Sequence, residues 1–273
     1  MIMTIKKVLV YAILLVLGLS MVFPFFWMIS TALKTDAEIY RMPPELLPGE
    51  PKWSNFSKAW NSAPFNRYLL NTMLIAVATT FFDLLLSSLG GVAFGKYDFF
   101  GKKVLFALVL GIMVVPSQVT LIPNYLIMNI LGWLNTYQGV IIVSIVSPFG
   151  IFLVRQYLQT IPDELMDAAR IDGCSEWGIF FKILLPLIKP VLGTLAIFSF
   201  TGSWNSFMWP LILMDKSEMY TLQIGLAFFR GQHQVYPNLL MAINALAVIP
   251  IMILFLFCQK YFVAGIQMSG IKQ

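Results

Sequence analysis

Six apolar runs, at roughly 8–33, 68–95, 104–128, 137–155, 187–214 and 239–262, leave this chain few ways to fold. A helix needs about 20 residues to cross a bilayer, and each run supplies that length or nearly so. Inside hydrocarbon the backbone has no water to bond, so a spanning segment satisfies its own N–H and C=O groups as a helix. With 59% apolar and only 11% charged residues, a single water-soluble core would have too much greasy surface to hide. The expectation is an all-α polytopic membrane protein with six transmembrane helices. Residues 1–67 would hold the first helix and a large loop, 68–262 the main membrane domain, and 263–273 a tail.

Charge sets the expected orientation. Lys6 and Lys7 precede the first run, Lys96, Lys102 and Lys103 lie between the second and third, and Lys260 and Lys272 follow the sixth. Lys and Arg stay on the cytoplasmic side, so both termini are predicted inside, as is the loop at about 160–186. The same rule accounts for the net charge of +5 without invoking nucleic acid. The first run is too long for a signal-peptide core and has no convincing cleavage site, so it reads as a retained span. Three connections, about 34–67, 129–136 and 215–238, then face outward. In the first, Trp53, Phe56 and Trp60 suit either an ordered cap that docks something or a solvated loop with interfacial aromatics.

Little in the chain looks catalytic. Cys174 and Cys258 are distant and form no CxxC pair, and His233 is the only histidine. A histidine metal cluster or a Ser-His triad therefore lacks material, and no metal site is expected. The stretch GGVAFGKY, residues 90–97, nearly spells a phosphate-binding loop. It puts Tyr97 where Ser or Thr would hold magnesium and follows an apolar helix instead of a strand. Packing explains it better: Ser87, Gly91 and Gly95 recur every four residues and make a smooth helix face.

Asp83 is an acid within a span. Burying it costs at least about 2.5 kcal/mol on insertion scales, so it should face a polar cavity or a partner. A proton relay is conceivable, but no second acid, His or Lys in the spans continues one. Trp204, Asn205 and Trp209 in the fifth run combine aromatic faces with an amide, which suits sugar rings; the alternative is a helix-packing or interfacial role. Pro116, Pro123, Pro148, Pro210 and Pro250 should kink their helices. The sequon at Asn55 carries no weight.

The insertion RQYLQTIPDELMDAARIDGCSEWGIFFKILLPLIKP interrupts the membrane pattern. Asp163 and Glu164 after Pro162 start a helix with acids at its positive end; Leu165, Ala168 and Ala169 form a narrow apolar stripe, and Gly173 stops it. Ser175 caps a second helix, in which Trp177, Phe180, Phe181 and Leu184 make an aromatic face up to Pro186. Small alanines allow close approach, and Asp167, Arg170 and Asp172 can fix register, so the first helix is either a knob for a protein groove or an unpartnered surface helix.

DELMDAARIDGCSEWGIFFKILLPLIKP resembles the EAA loop of ABC importer permeases. Asp167, Ala168 and Ala169 stand for EAA, Gly173 is its glycine, nine residues follow, and Ile183, Leu185 and Pro186 close the motif. The departure is Asp for Glu. VPSQVTLIPNYLIMNILGWLNTYQGVII and SWNSFMWPLIL are similar to the carbohydrate, maltose-type branch. The resemblance implies a type I importer fold in a bacterial cytoplasmic (inner) membrane, surrounded by membrane lipid. It further implies a second, homologous permease subunit in a heterodimer, two ABC ATPase subunits that bind ATP and Mg, an extracytoplasmic solute-binding protein and a sugar substrate. No cofactor is expected in this chain. Residues Asp163, Glu164, Asp167 to Arg170, Asp172 and Gly173 would contact the ATPase; Asp83, Trp204, Asn205 and Trp209 would line the sugar path. The competing reading is an ion- or proton-coupled secondary carrier that uses Asp83.

Overall fold

The computed structural model describes residues 2–232 and 236–270, with side chains described for 7–232 and 236–259. His233 and Lys272, and the side chains of Lys6 and Lys260, lie outside those limits, as do the side chains of the tail. Among the described residues the regular structure is helical. In chain order the elements are α1 (Ile2–Ala32), α2 (Asp36–Ile39), α3 (Ser54–Asn61), α4 (Phe65–Lys96), α5 (Lys102–Ile112), α6 (Leu121–Ile130), α7 (Tyr137–Ile141) and α8 (Pro148–Leu158). They continue as α9 (Glu164–Ile171), α10 (Glu176–Ile179), α11 (Leu185–Leu187), α12 (Lys189–Trp204), α13 (Met208–Leu213), α14 (Leu222–Gln232) and α15 (Pro237–Gly270).

Three of the described helical stretches are long and apolar enough to cross a membrane unbroken: Lys7–Ala32, Phe65–Lys96 and Pro237–Gln259. The count reaches six if each of three bent pairs is one span. The bends are 94° between Lys102–Ile112 and Ser117–Ile130, 41° between Tyr137–Ser144 and Pro148–Leu158, and 76° between Glu176–Leu187 and Lys189–Trp204.

Prolines place the breaks. A proline ring clashes with the carbonyl four residues earlier and donates no hydrogen bond to it. Pro116 ends α5 at Ile112, and Pro148 ends the preceding helical stretch at Ser144. Pro148 then occupies the first turn of α8, where its missing N–H is no loss, with Ser147 capping Gly150 N–H at 3.1 Å. Pro210 leaves the Ser206 carbonyl without its helical donor, and the fifth apolar run, expected as one helix, is interrupted at 205–207 between α12 and α13. Pro250, by contrast, sits inside the continuous α15.

The chain divides into two compact units, Met1–Asn66 with Gly225–Pro250, and Arg67–Ile224 with Ile251–Gln273. In the first, the segment after α1 is ordered by side-chain bonds to its backbone. Asn55 is buried, and its amide donates to the carbonyls of Ala32 and Lys34 at 2.8 and 2.9 Å. Asn238 donates to the same Lys34 carbonyl at 3.2 Å. Lys34 packs its ammonium 4.5 Å from the centre of the Trp27 ring and donates to the Glu45 carbonyl. Thr35 and Glu38 form a capping box for α2. The aromatics of this segment are ordered as well: Trp53 stacks on Phe56, and Trp60 Nε1 donates to Asn66 at 2.8 Å.

In the second unit, α4 and α8 meet across the small-residue face. A Cβ on Gly91 would lie 2.5 Å from Val154 Cγ1, one on Gly95 3.3 Å from Leu158 Cβ, and one on Gly150 2.3 Å from Ser87 Oγ. The Ser87, Gly91, Gly95 periodicity is thus a helix contact, as its spacing predicts. Beyond α13, the predicted connection 215–238 contains α14, a helix of 11 residues that the hydropathy pattern does not reveal.

Candidate functional site

Two places in the second unit collect the polar groups singled out from the sequence. The first is α9. It begins at Glu164 and ends in a glycine stop: Gly173 has φ +77°, its N–H donates to Arg170 O at 3.0 Å, and Cys174 N–H reaches back to Ala169 O at 2.9 Å. That pair of bonds satisfies carbonyls the helix would otherwise leave open, and glycine adopts the left-handed turn at no steric cost.

The buried side of α9 differs from the predicted stripe. Met166 and Ala169 are buried, whereas Leu165 and Ala168 are exposed. Helical phasing explains the shift, because residues three apart share a face. Met166 and Ala169 join a cluster with Val92, Val154, Leu158, Leu184 and Ile188, so the underside of α9 is built into the ends of α4, α8 and α12. The other side is open: Glu164, Asp167, Ala168, Arg170, Asp172 and Gly173 are all exposed.

The next helix also departs from expectation. Ser175 caps α10 by accepting from Gly178 N–H at 3.2 Å, as predicted. Phe180–Leu184 is then a π-helical turn, and helicity runs through Pro186 to Leu187 instead of stopping. The wider turn splits the predicted aromatic face. Phe180 and Leu184 are buried, while Trp177 and Phe181 are exposed and stacked on each other at 6.1 Å.

Charged groups tie α9 down. Lys96, at the end of α4, has a side chain only 3% exposed; it donates to Asp163 at 2.6 Å and to the Ile161 carbonyl. Tyr97 donates its hydroxyl to Glu176. Arg170 donates to Asp167 through Nη1 and to Glu176 through Nε, both at 2.9 Å. The Arg170 guanidinium, followed by the Tyr97 hydroxyl, holds the Glu176 carboxyl below its ordinary value, and Glu176 in turn raises Arg170. Lys96, Tyr97 and Glu176 were missed as site residues. The near-match to a phosphate loop marked the stretch but pointed to the wrong chemistry.

The second place is a cavity of about 220 Å³ between α4, the break before α8, α12 and α13. Its lining includes Thr79, Asp83, Ser144, Ser147, Ser199, Ser203, Ser206 and Trp209, with Phe198 and Ile75 as apolar walls. Asp83 is 2% exposed and accepts from Ser87 Oγ at 2.8 Å and from the Ser147 backbone N–H at 3.1 Å. Thr79 Oγ1 and Trp209 Nε1 are buried without a protein partner, so this wall has hydrogen-bonding capacity to spare.

Of the four residues predicted to line a path, Asp83 and Trp209 do line this cavity. Trp204 does not. It is 1% exposed and stacks on Phe200 at 5.5 Å, with its Nε1 unpaired. Asn205 is exposed just past α12 and accepts from Gln223 at 3.4 Å. Helix period predicts neither fate, because the chain leaves helical geometry at Asn205.

Residues 87–268 match the model of the family described as binding-protein-dependent transport system inner membrane component. The chain is 36% identical to the arabinooligosaccharides transport system permease protein AraQ of Bacillus subtilis, covering 94% of this chain and 93% of that one. It is 31% identical to the melibiose/raffinose/stachyose import permease protein MelC of the same organism, over 91% of each. Among solved structures, it superposes on a chain of a bacterial ABC transporter involved in the import of the acidic polysaccharide alginate. The TM-score is 0.82 and the identity 25%, over 95% of this chain and 97% of that one. Membership in this family displaces the secondary-carrier reading built on Asp83. The chain belongs to the binding-protein-dependent transport system inner membrane component family, and is a permease component of an ABC transport system, not an enzyme.

Proposed function

We propose that this chain is one half of the translocation path of a neutral-carbohydrate importer in a bacterial inner membrane, driven through α9 by a separate ATPase. The domain plan is the one expected from the sequence, with residues 1–67 as first span and outer cap, 68–262 as the translocating domain and 263–273 as a cytoplasmic tail. Six crossings, with both termini inside, run through α1, α4, α5–α6, α7–α8, α12–α13 and α15, and the stretch at about 160–186 stays in the cytoplasm. A second, homologous permease completes the path, two ATPase subunits hold ATP and Mg, and a solute-binding protein delivers cargo from outside.

The observation that carries the reading is the two-sidedness of α9. Its underside, Met166 and Ala169, is packed into the span ends, while Glu164, Asp167, Ala168, Arg170 and Asp172 are presented outward around a short side chain. A knob fixed from below and charged around an alanine meets a groove closely and in one register. Asp163 belongs to its attachment to Lys96 and Gly173 to its termination.

For the cargo, the cavity wall is supportive. It offers hydroxyls, one carboxylate, an aromatic ring and an unpaired indole N–H, and no Lys or Arg among its lining residues. Such a wall suits a sugar's hydroxyl edge and C–H face better than an anionic group. Relatives named for arabinooligosaccharides and for melibiose, raffinose and stachyose point the same way. Trp209 and Asp83 are the residues for this role; Trp204 and Asn205 would reach cargo only in another conformation.

Cys174 offers a direct test, since it is exposed immediately after Gly173. In the purified permease pair it should react readily with a maleimide, and the cognate ATPase subunits should protect it. Unchanged labelling in a complex that co-purifies would refute docking at α9. In vesicles, uptake should require ATP and persist when ion gradients are collapsed.

A further inference from the structure

Asp163 begins α9 but does not cap it. An acid at that position usually accepts from the free N–H groups of the first turn, yet Asp163 makes no side-chain cap bond. Its carboxylate goes instead to Lys96, whose side chain is buried to 3% exposure against the turn that leads into the helix. The next residue, Tyr97, reaches past the Gly173 break to Glu176, the first residue of α10, and Glu176 is joined to α9 through Arg170. Two consecutive residues, at and just after the end of α4, therefore hold α9 at two points: Lys96 holds its start directly, and Tyr97 holds Glu176, which Arg170 ties to its last turn.

A single contact would leave α9 free to pivot. Two contacts, with Met166 and Ala169 buried between them, fix its position and its rotation about its own axis. The strut also has little slack along its length. Above Lys96, α4 lies against α8 with glycines at 90, 91 and 95, where a Cβ would meet Ile151 at 3.1 Å, Val154 at 2.5 Å and Leu158 at 3.3 Å. Thirteen residues up from Lys96 is Asp83 at the cavity, about 20 Å along a straight helix.

We propose that Lys96 and Tyr97 are the positioning residues that convert displacement of α9 into displacement of α4, making the second span the arm that carries the ATPase stroke to the cavity wall. This rests on the docking role of α9 proposed above. It goes beyond that role by assigning the transmission to one particular span and to two residues outside the insertion. Burial alone would require only an apolar underside; the ion pair at the start of α9 and the hydroxyl–carboxylate bond to Glu176 add directed attachments through which a displacement can be passed on.

The test reads a conformational change that needs only nucleotide as probe. In the full complex with partner permease and ATPases, with Cys174→Ser and Cys258→Ser, nitroxides are placed at Leu74→Cys in α4 and Leu126→Cys in α6, both exposed positions. The distance between them is measured with and without a non-hydrolysable ATP analogue and Mg. The parent complex should show a shift. Lys96→Met should retain bound ATPase but halve that shift or more, Lys96→Arg should restore it, and Tyr97→Phe, which removes one hydroxyl and no packing, should reduce it in part.

A full shift in both Lys96→Met and Tyr97→Phe overturns the strut. Loss of ATPase from Lys96→Met with its return in Lys96→Arg also overturns it, because the residue would then be a support for docking only. A parent complex that retains its ATPase but shows no nucleotide-dependent shift also overturns the strut, whereas the docking reading fails on unprotected Cys174, so the two failures are told apart.

Discussion

Replacing Gly91 by alanine sets two opposed effects against each other at one atom. In an exposed helix the substitution would be favourable, by about 0.8–1.0 kcal/mol, because alanine gives up less backbone freedom. Here the new Cβ would fall 2.5 Å from Val154 Cγ1, 2.6 Å from Val154 Cβ and 3.2 Å from the Arg155 backbone nitrogen. Carbon atoms settle at roughly 3.5–4.0 Å, so α4 and α8 would have to part by about 1 Å along the contact. Val154 is fully buried and cannot swing aside, and the clash includes its Cβ, which no rotamer moves. Overpacking of this kind costs about 1–3 kcal/mol, which leaves Gly91→Ala less stable by up to about 2 kcal/mol. Gly111 in α5 is the control, since a Cβ there meets nothing within 4 Å and the propensity gain should stand alone. Thermal unfolding of the permease in mild detergent, followed by tryptophan fluorescence, should rank Gly111→Ala above the parent and Gly91→Ala below it. A Gly91→Ala variant as stable as Gly111→Ala would refute the close helix contact.

Three further outcomes are expected. Asp83→Asn keeps an oxygen for the Ser147 N–H and the Ser87 hydroxyl, so ATP-driven uptake should survive it. Asp83→Leu strands that buried N–H at a cost of about 1–3 kcal/mol and should lower the melting temperature; inactivation by Asn alone would revive an obligatory proton role. Asn71→Ala removes an amide that donates to the carbonyls of Glu218 and Tyr220 and accepts from Tyr137, and should destabilise by about 1–3 kcal/mol, read by the same melt. Because Arg170 and Tyr97 hold Glu176 below its ordinary value of 4.5, their contribution is fully present above that pH and is lost as pH falls through the lowered value. Maleimide reactivity of Cys174 should accordingly stay flat from pH 6 to 8 after correction for thiolate fraction; a step in that range would contradict the pairing.

What could be read from the sequence was whatever repeats locally. Ser87, Gly91 and Gly95 announce a contact because one helix period is enough to see it, and the Gly173 stop and Ser175 cap follow from single-residue backbone preferences. The misreadings come from places where helical period changes or where distant segments meet. The π turn at Phe180–Leu184 rotates Trp177 and Phe181 away from Phe180 and Leu184, which no 3.6-residue count anticipates. The bend at Pro116 follows from its proline, but the break at 205–207 interrupts the fifth run five to three residues before Pro210, and hydropathy does not distinguish a rod from two halves. Helix α14 escaped notice because Leu222–Gln232 is too short and too polar to register as a crossing. Lys96 and Tyr97 sat in a stretch whose chemistry was rightly rejected, but their partners lie 65 to 79 positions away.

The bend between Tyr137–Ser144 and Pro148–Leu158 is capped where its second half begins. Ser147 closes the new first turn with its hydroxyl, Pro148 brings no N–H that would need a partner, and Asp83 takes the Ser147 N–H from a neighbouring helix. A continuous helix can be bent only by pulling its ladder apart in a medium that supplies no replacement bonds. Here the ladder is already cut and the α8 edge is capped by Ser147, so a change in the 41° angle breaks no bond of a continuous helical ladder. Motion at this joint is opposed by side-chain packing and by the bond that ties Ser147 to Asp83, so its stiffness can be tuned through side chains without cutting the helix on either side.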